Sequence, residues 1–150
     1  WHRCGAALPR RLFSAGVGLA LGECMEEDLR QLIARCSAPT SPNPLTEAEI
    51  SRLCSAHGIS RQELFAAFAR HVAQEFAAGS LSFWSGNYAM NALGGAALEE
   101  LEGFPLAVFF AFDHGEYLED GDPRGSVPWQ RHTLPQVMEA LEKEGLSPSD

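Results

Sequence analysis

SRQELFAAFARHVAQEFAAG, residues 60–79, decides the fold. Ser60 stands where a hydroxyl can cap the free amides of a first helical turn, and Glu63, three residues on, can reach back to the Ser60 amide. Leu64, Phe68, Val72 and Phe76 then recur every four residues, with Phe65 and Ala69 widening the stripe, which is the pattern of a helix that buries one broad face. Gly79 supplies the stop. The stretch therefore reads as a helix from Arg61 to Ala78, placed at the centre of a bundle.

Two further pairs repeat the capping signature, Thr46 with Glu49 and Thr133 with Gln136. Working outward, a short helix is expected from Glu47 to His57, stopping at Gly58. Before it, the proline-rich SAPTSPNP (37–44) reads as a linker, and a first helix is expected from about Glu26 to Arg35, with acids in its first turn as the helix dipole favours. Downstream, SLSFWSGNYAMNALGG (80–95) can place Phe83, Tyr88, Met90 and Leu93 on one helical face, although each glycine there costs about 1 kcal/mol relative to alanine. PLAVFFAF (105–112) is apolar nearly all round and suits a buried helix or a buried strand; its alanines and the proline in the first turn favour the helix. From Asp113 to Arg131 glycine, proline and charge dominate, so this is a long loop anchored by Tyr117, Leu118, Val127 and Trp129. A last helix is expected from Pro135 to Glu144. The expected fold is mostly α: a single-domain helical bundle of about five to six helices, with a long acidic loop before the last helix and no internal repeat.

At 150 residues the chain can bury roughly two thirds of its unfolded surface, so neither disulfides nor metals are needed for folding. Cys4, Cys24, Cys36 and Cys54 are scattered, and they read as small thiols in a reducing cytosol. Cys54 and His57 form a C-x-x-H without a second half, a poor zinc signal. Residues 1–24 differ from the rest, with three arginines and no acid before Glu23. Arg10-Arg11 followed by Leu12 and Phe13 is superficially like a twin-arginine signal, but the apolar run to Leu21 is weak, glycine-rich and far too short to cross a bilayer. The expectation is an N-terminal extension over 1–24, a core domain over 25–150 beginning at Met25, and a cytoplasmic protein with no membrane segment.

The formal charge of −9 arises from 20 acids and 11 bases. Its placement is more telling: Glu99 to Asp122 holds eight acids and no Lys or Arg. Such a face repels phosphate backbones and attracts cationic surfaces, so nucleic acid is excluded as its partner. Its densest part is AFDHGEYLEDGDPRG, residues 111–125. An EF-hand beginning at Asp120 would place Asp122 and Gly125 correctly, but Arg124 stands at the fifth position and Arg131 at the twelfth, where carboxylates are needed. A transition-metal site would join His114 to Asp113, Glu116 or Glu119, with His132 from farther away. No H-x-x-x-H or paired C-x-x-C supports it. Asp113 and Glu116, three apart, could share a helix face as an acid/base pair, yet no nucleophile elbow, P-loop or dinucleotide fingerprint accompanies them.

LTEAEISRLCSAHGISRQELFAAF (45–68) has the layout of a helix-turn-helix within residues 46–78. Its reading helix would expose Arg61, Gln62 and Glu63, only one of them basic, and His57 occupies a position that should be apolar. The reading that remains is a non-catalytic protein-binding surface. Asp113, Glu116, Glu119, Asp120 and Asp122 supply charge, and Tyr117 and Trp129 supply apolar area. No catalytic residue, metal ligand or cofactor is assigned.

AFDHGEY, then GDP, then W-x-R-H-T-L-P, with SLSFWSGNYAMNAL upstream, resembles small acidic bacterial proteins that carry an F-D-x-G-E-Y segment, a G-D-P turn and a T-x-P before the last helix. The likeness covers roughly residues 45–145. Such proteins look like the immunity partners of toxin systems. The resemblance implies that this chain binds and neutralises a cognate toxin. The run of eight acids from Glu99 to Asp122 adds the expectation that the partner is basic and its cleft is covered, with carboxylates standing where an anionic substrate would lie.

Overall fold

The computed structural model describes residues 15–39 and 41–148, with side chains from residue 22 onward. The described residues form six α-helices and no strand: α1 (Ala15–Cys36), α2 (Glu47–His57), α3 (Arg61–Ala77), α4 (Phe83–Ala97), α5 (Phe104–Asp113) and α6 (Leu134–Lys143). The expected helical bundle with a long loop before the last helix is what forms.

α3 is the central element and packs against each of the other five helices. Its start is the expected capping box: the Glu63 amide donates to Ser60 Oγ at 3.1 Å, and the Ser60 amide donates to the Glu63 carboxylate at 3.4 Å. The stripe Leu64, Phe68, Val72 and Phe76 is buried, and Phe65, Ala67, Ala69 and Ala73 extend it. Thr46 caps α2 through the Glu49 amide at 3.1 Å, but the Glu49 carboxylate turns away to Arg35 and Arg52, so only half of that box closes.

α1 does not begin at Glu26. It runs unbroken through Met25 from Ala15, because glycines weaken a helix there but no proline interrupts it. α1 thus crosses the expected boundary at residue 24, and residues 1–14 of the expected extension lie outside the described residues. Leu29, Leu32, Ile33 and Cys36 bury the inner face of α1. Cys36 and Cys54 are free thiols, and burial pushes Cys36 up to about 11. Cys24 is disulfide-bonded, a departure from the expectation of four free thiols.

The glycines of α4 are there for its neighbour. A Cβ on Gly86 would lie 2.6 Å from the Phe112 ring, and one on Gly94 would strike Phe109, so both positions let α5 approach closely. Ring packing offsets the weakened helix propensity. Ser82 caps α4 through the Ser85 amide, a signal without the Glu or Gln of a full box. PLAVFFAF is helical, entered from Gly103 at φ 61 with Pro105 in the first turn.

His57 holds a position that the helix-turn-helix layout assigns to an apolar residue. Its side chain is only 4% exposed, and Nε2 lies 2.8 Å from Asp28 Oδ2, which ties the end of α2 to α1. Replacing Asp28 with alanine strands this imidazole without its partner. The expected loss is ~1–3 kcal/mol in unfolding free energy, measured by urea denaturation.

Candidate functional site

Phe76 of α3, Phe83 of α4 and Phe112 of α5 meet with ring centroids between 5.0 and 6.5 Å apart, Phe83 edge-on to Phe76 and stacked on Phe112, and Phe76 tilted against Phe112. Trp129 joins them, 5.7 Å from Phe76 and parallel to Phe83 at 6.2 Å. The loop after α5 is therefore fastened from beneath by an aromatic plug. Trp129 is half-buried and packs on this cluster as the anchor of the loop that the sequence suggests, whereas Tyr117, Leu118 and Val127, named with it, are exposed. Backbone amides continue from Trp129 through a π-helical turn (Trp129–Thr133) directly into α6. Thr133 accordingly has helical backbone angles and caps nothing, so the expected box with Gln136 does not form. Gln136 Oε1 instead lies 3.1 Å from His114 Nδ1.

The segments quoted for the family resemblance converge at this loop. Asn87, from the α4 segment, donates through Nδ2 to Glu116 Oε1 at 2.7 Å. Gly115 lies so close to Thr133 Oγ1 and the Phe83 ring that no side chain fits between them. Asn87 and Thr133 are the only buried polar residues among those described. Asp122, from the G-D-P turn, accepts from the Glu119 amide at 2.8 Å and from His132 Nε2 at 2.6 Å, and also binds Arg131. Its side chain is 6% exposed. The His132 contact, then the Glu119 amide and Arg131, hold its carboxyl down to about 2, so it is ionised at neutral pH. The turn is a closed staple across the loop.

This sorts the eight acids between Glu99 and Asp122 into two sets. Glu100 pairs with Arg61 at 2.7 Å, Glu116 with Asn87, and Asp122 with Arg131 and His132, so these three hold the structure together. Glu99, Glu102, Asp113, Glu119 and Asp120 are exposed, and none of their carboxylates forms a salt bridge or side-chain hydrogen bond among the described residues. Tyr117, 75% exposed, and Leu118 stand between the two structural contacts at Glu116 and Asp122. On α4, Trp84 is exposed and packs against Tyr88 at 6.2 Å, next to the Asn87 that receives the loop. Trp84 was not singled out from the sequence as a contact residue; its exposure becomes visible only once Phe83 and Asn87 are known to take the inward positions.

The alternative chemistries find less support. His114 stacks on Phe110 and faces Gln136, while Glu116 is turned to Asn87, so Asp113, His114 and Glu116 do not share one focus. Among the described residues no group of three His, Cys, Asp or Glu side chains is gathered as a metal site would require. In the helix-turn-helix segment, Arg61 bridges Glu47 at 2.6 Å and Glu100 at 2.7 Å, and the outer face of α3 presents Gln62, Glu63, Ala66 and Arg70, so Arg70 is its one exposed base. No described helix is long and apolar enough to cross a membrane. Compared with known proteins, the chain matches no protein family, no curated protein and no solved structure.

Proposed function

We propose that the protein is a non-catalytic binding module that captures a basic protein through the loop after α5, in the manner of an immunity protein neutralising a toxin. The observation that carries this reading is the division of labour in the loop. Glu116, Asp122 and Trp129 are spent on holding it, and what they hold outward is Asp113, Glu119, Asp120, Tyr117 and Leu118. A stapled loop loses little conformational freedom on binding, which favours affinity. The unpaired carboxylates steer a cationic surface toward it, and Tyr117 gives apolar area with a polar tip, the residue type that anchors interfaces. A basic cleft covered by these carboxylates would be closed to its own anionic substrate.

The test reverses only the acids that do no structural work. With Asp113→Lys, Glu119→Lys and Asp120→Lys combined, helical circular dichroism should be unchanged and a basic protein drawn from bacterial lysate by the wild type should be lost, read by mass spectrometry. Equal capture of the same protein by both forms would contradict the proposal.

A further inference from the structure

Trp84 and Tyr88 lie one helical turn apart on α4 and flank Asn87 in sequence, with their rings 6.2 Å apart and tilted by 36°. Trp84 is fastened edge-on to Phe83 at 5.0 Å, and Phe83 in turn abuts Gly115 where the acidic loop begins. Asn87 binds Glu116, the residue before Tyr117. Two rings held from below therefore border the loop, and Trp84 remains exposed beside a half-buried Tyr88.

The chain fills a comparable ring elsewhere. Arg61 lies over Phe65, its guanidinium carbon 5.5 Å from the ring centroid, while its N–H groups donate to the carboxylates of Glu47 and Glu100. A guanidinium suits this combination because its flat face meets the ring and its edge stays free to donate. At the loop the same parts recur without the cation. Trp84 supplies the ring, and Asp113, Glu119 and Asp120 supply carboxylates, but among the described residues no cation lies over Trp84. Arg131 and His132, the bases farther along the loop, are both bound to Asp122. A lysine ammonium is a compact, strongly hydrated charge and has no flat face to lay on the indole. Resting on the reading that this loop captures a basic protein, the geometry points to arginine as the side chain captured, its guanidinium on Trp84 beside Tyr88 and its N–H groups on the loop carboxylates. The surface thereby selects arginine-rich partners over lysine-rich ones of equal charge.

The test titrates the whole protein with acetylated hexa-arginine amide and hexa-lysine amide at physiological ionic strength, following the indole N–H signals by NMR. The Trp84 signal, assigned by its loss in Trp84→Leu, should shift saturably with hexa-arginine, while that of Trp129, packed on Phe76 and Phe83, stays in place. Hexa-arginine should bind roughly threefold or more tightly than hexa-lysine, the gain from a cation on an exposed ring. Leucine keeps apolar area on Phe83 but offers no ring face, so in Trp84→Leu, and independently in Tyr88→Leu, the ratio of the two affinities should fall toward one with helical circular dichroism retained. Equal affinity for the two peptides, or an arginine preference that survives in both variants, would overturn the inference and leave the acidic surface standing. Binding of neither peptide would overturn both.

Discussion

Phe112→Ala is expected to lower the unfolding free energy by ~3–5 kcal/mol, the range for removing a fully buried phenylalanine. Phe112 is 1% exposed and sits where four elements meet: it touches Phe76 of α3 and Phe83 of α4, it fills the space left by Gly86, and the same cluster receives Trp129. Its removal leaves a cavity that cannot collapse easily, because the Gly86 backbone has no side chain to move into it. For a domain of this size each kcal/mol corresponds to about 2–4 °C in Tm. Urea denaturation should show a lower midpoint with little change in slope. A loss under ~1 kcal/mol would mean that the aromatic cluster is not the support of the loop.

Gly115→Ala is the second large effect. A methyl group here would overlap Thr133 Oγ1 and lie 2.8 Å from the Phe83 ring. Thr133 is fully buried and Phe83 nearly so, and both are backed by the core, so neither yields cheaply. Overpacking of this kind costs ~1–3 kcal/mol. Gly115 does not have a positive φ, so the cost is contact alone with no backbone strain. The variant should also loosen the loop, seen as faster tryptic cleavage after the exposed Arg124. A stability and cleavage rate equal to wild type would show that Gly115 can be replaced by a small shift of Thr133. Glu116, one residue on, acts differently: its carboxylate is the partner of the buried Asn87 amide, so its loss should cost ~1–3 kcal/mol by stranding that donor and not by overpacking.

The fold was legible wherever one local signal determined it. Ser60, Glu63 and the four-residue stripe from Leu64 to Phe76 specify α3 without reference to anything distant, and the Thr46 cap does the same for α2. Helix α4 was readable only in part, since Gly86 and Gly94 weaken it in isolation and make sense only against Phe112 and Phe109. Thr133 shows the opposite failure. Its T-x-x-Q pattern satisfies a capping rule, but the chain arrives already wound in the π turn from Trp129, so the hydroxyl is buried and the cap is not needed. Local chemistry could not reveal this, because the turn is held by Asp122 and by the aromatic cluster.

The acidic loop was legible as a concentration of charge and not as an arrangement. Composition treats Asp113 and Asp122 alike, whereas Asp122 faces inward to Arg131 and His132 and Asp113 faces outward. Arg131 and His132 lie beyond the acidic run, so counting charges from Glu99 to Asp122 misses the bases that answer its last member. Trp129 reads from the sequence both as an anchor of the loop and as a contact residue, and its place beside Phe76 and Phe83, which fits the first, follows from the packing of α3 and α4.

The central claim is that the stapled loop is where a basic partner sits, and site-specific photo-crosslinking measures this most directly. A photoreactive phenylalanine analogue at Tyr117, the most exposed of the large hydrophobic side chains described, would be compared with the same analogue at Met138, exposed on α6. The account predicts a crosslink from position 117 to one basic protein, lost when Asp113, Glu119 and Asp120 are reversed, with none from position 138. Equal crosslinking from both positions, or a crosslink at 117 that survives the reversal, would contradict it.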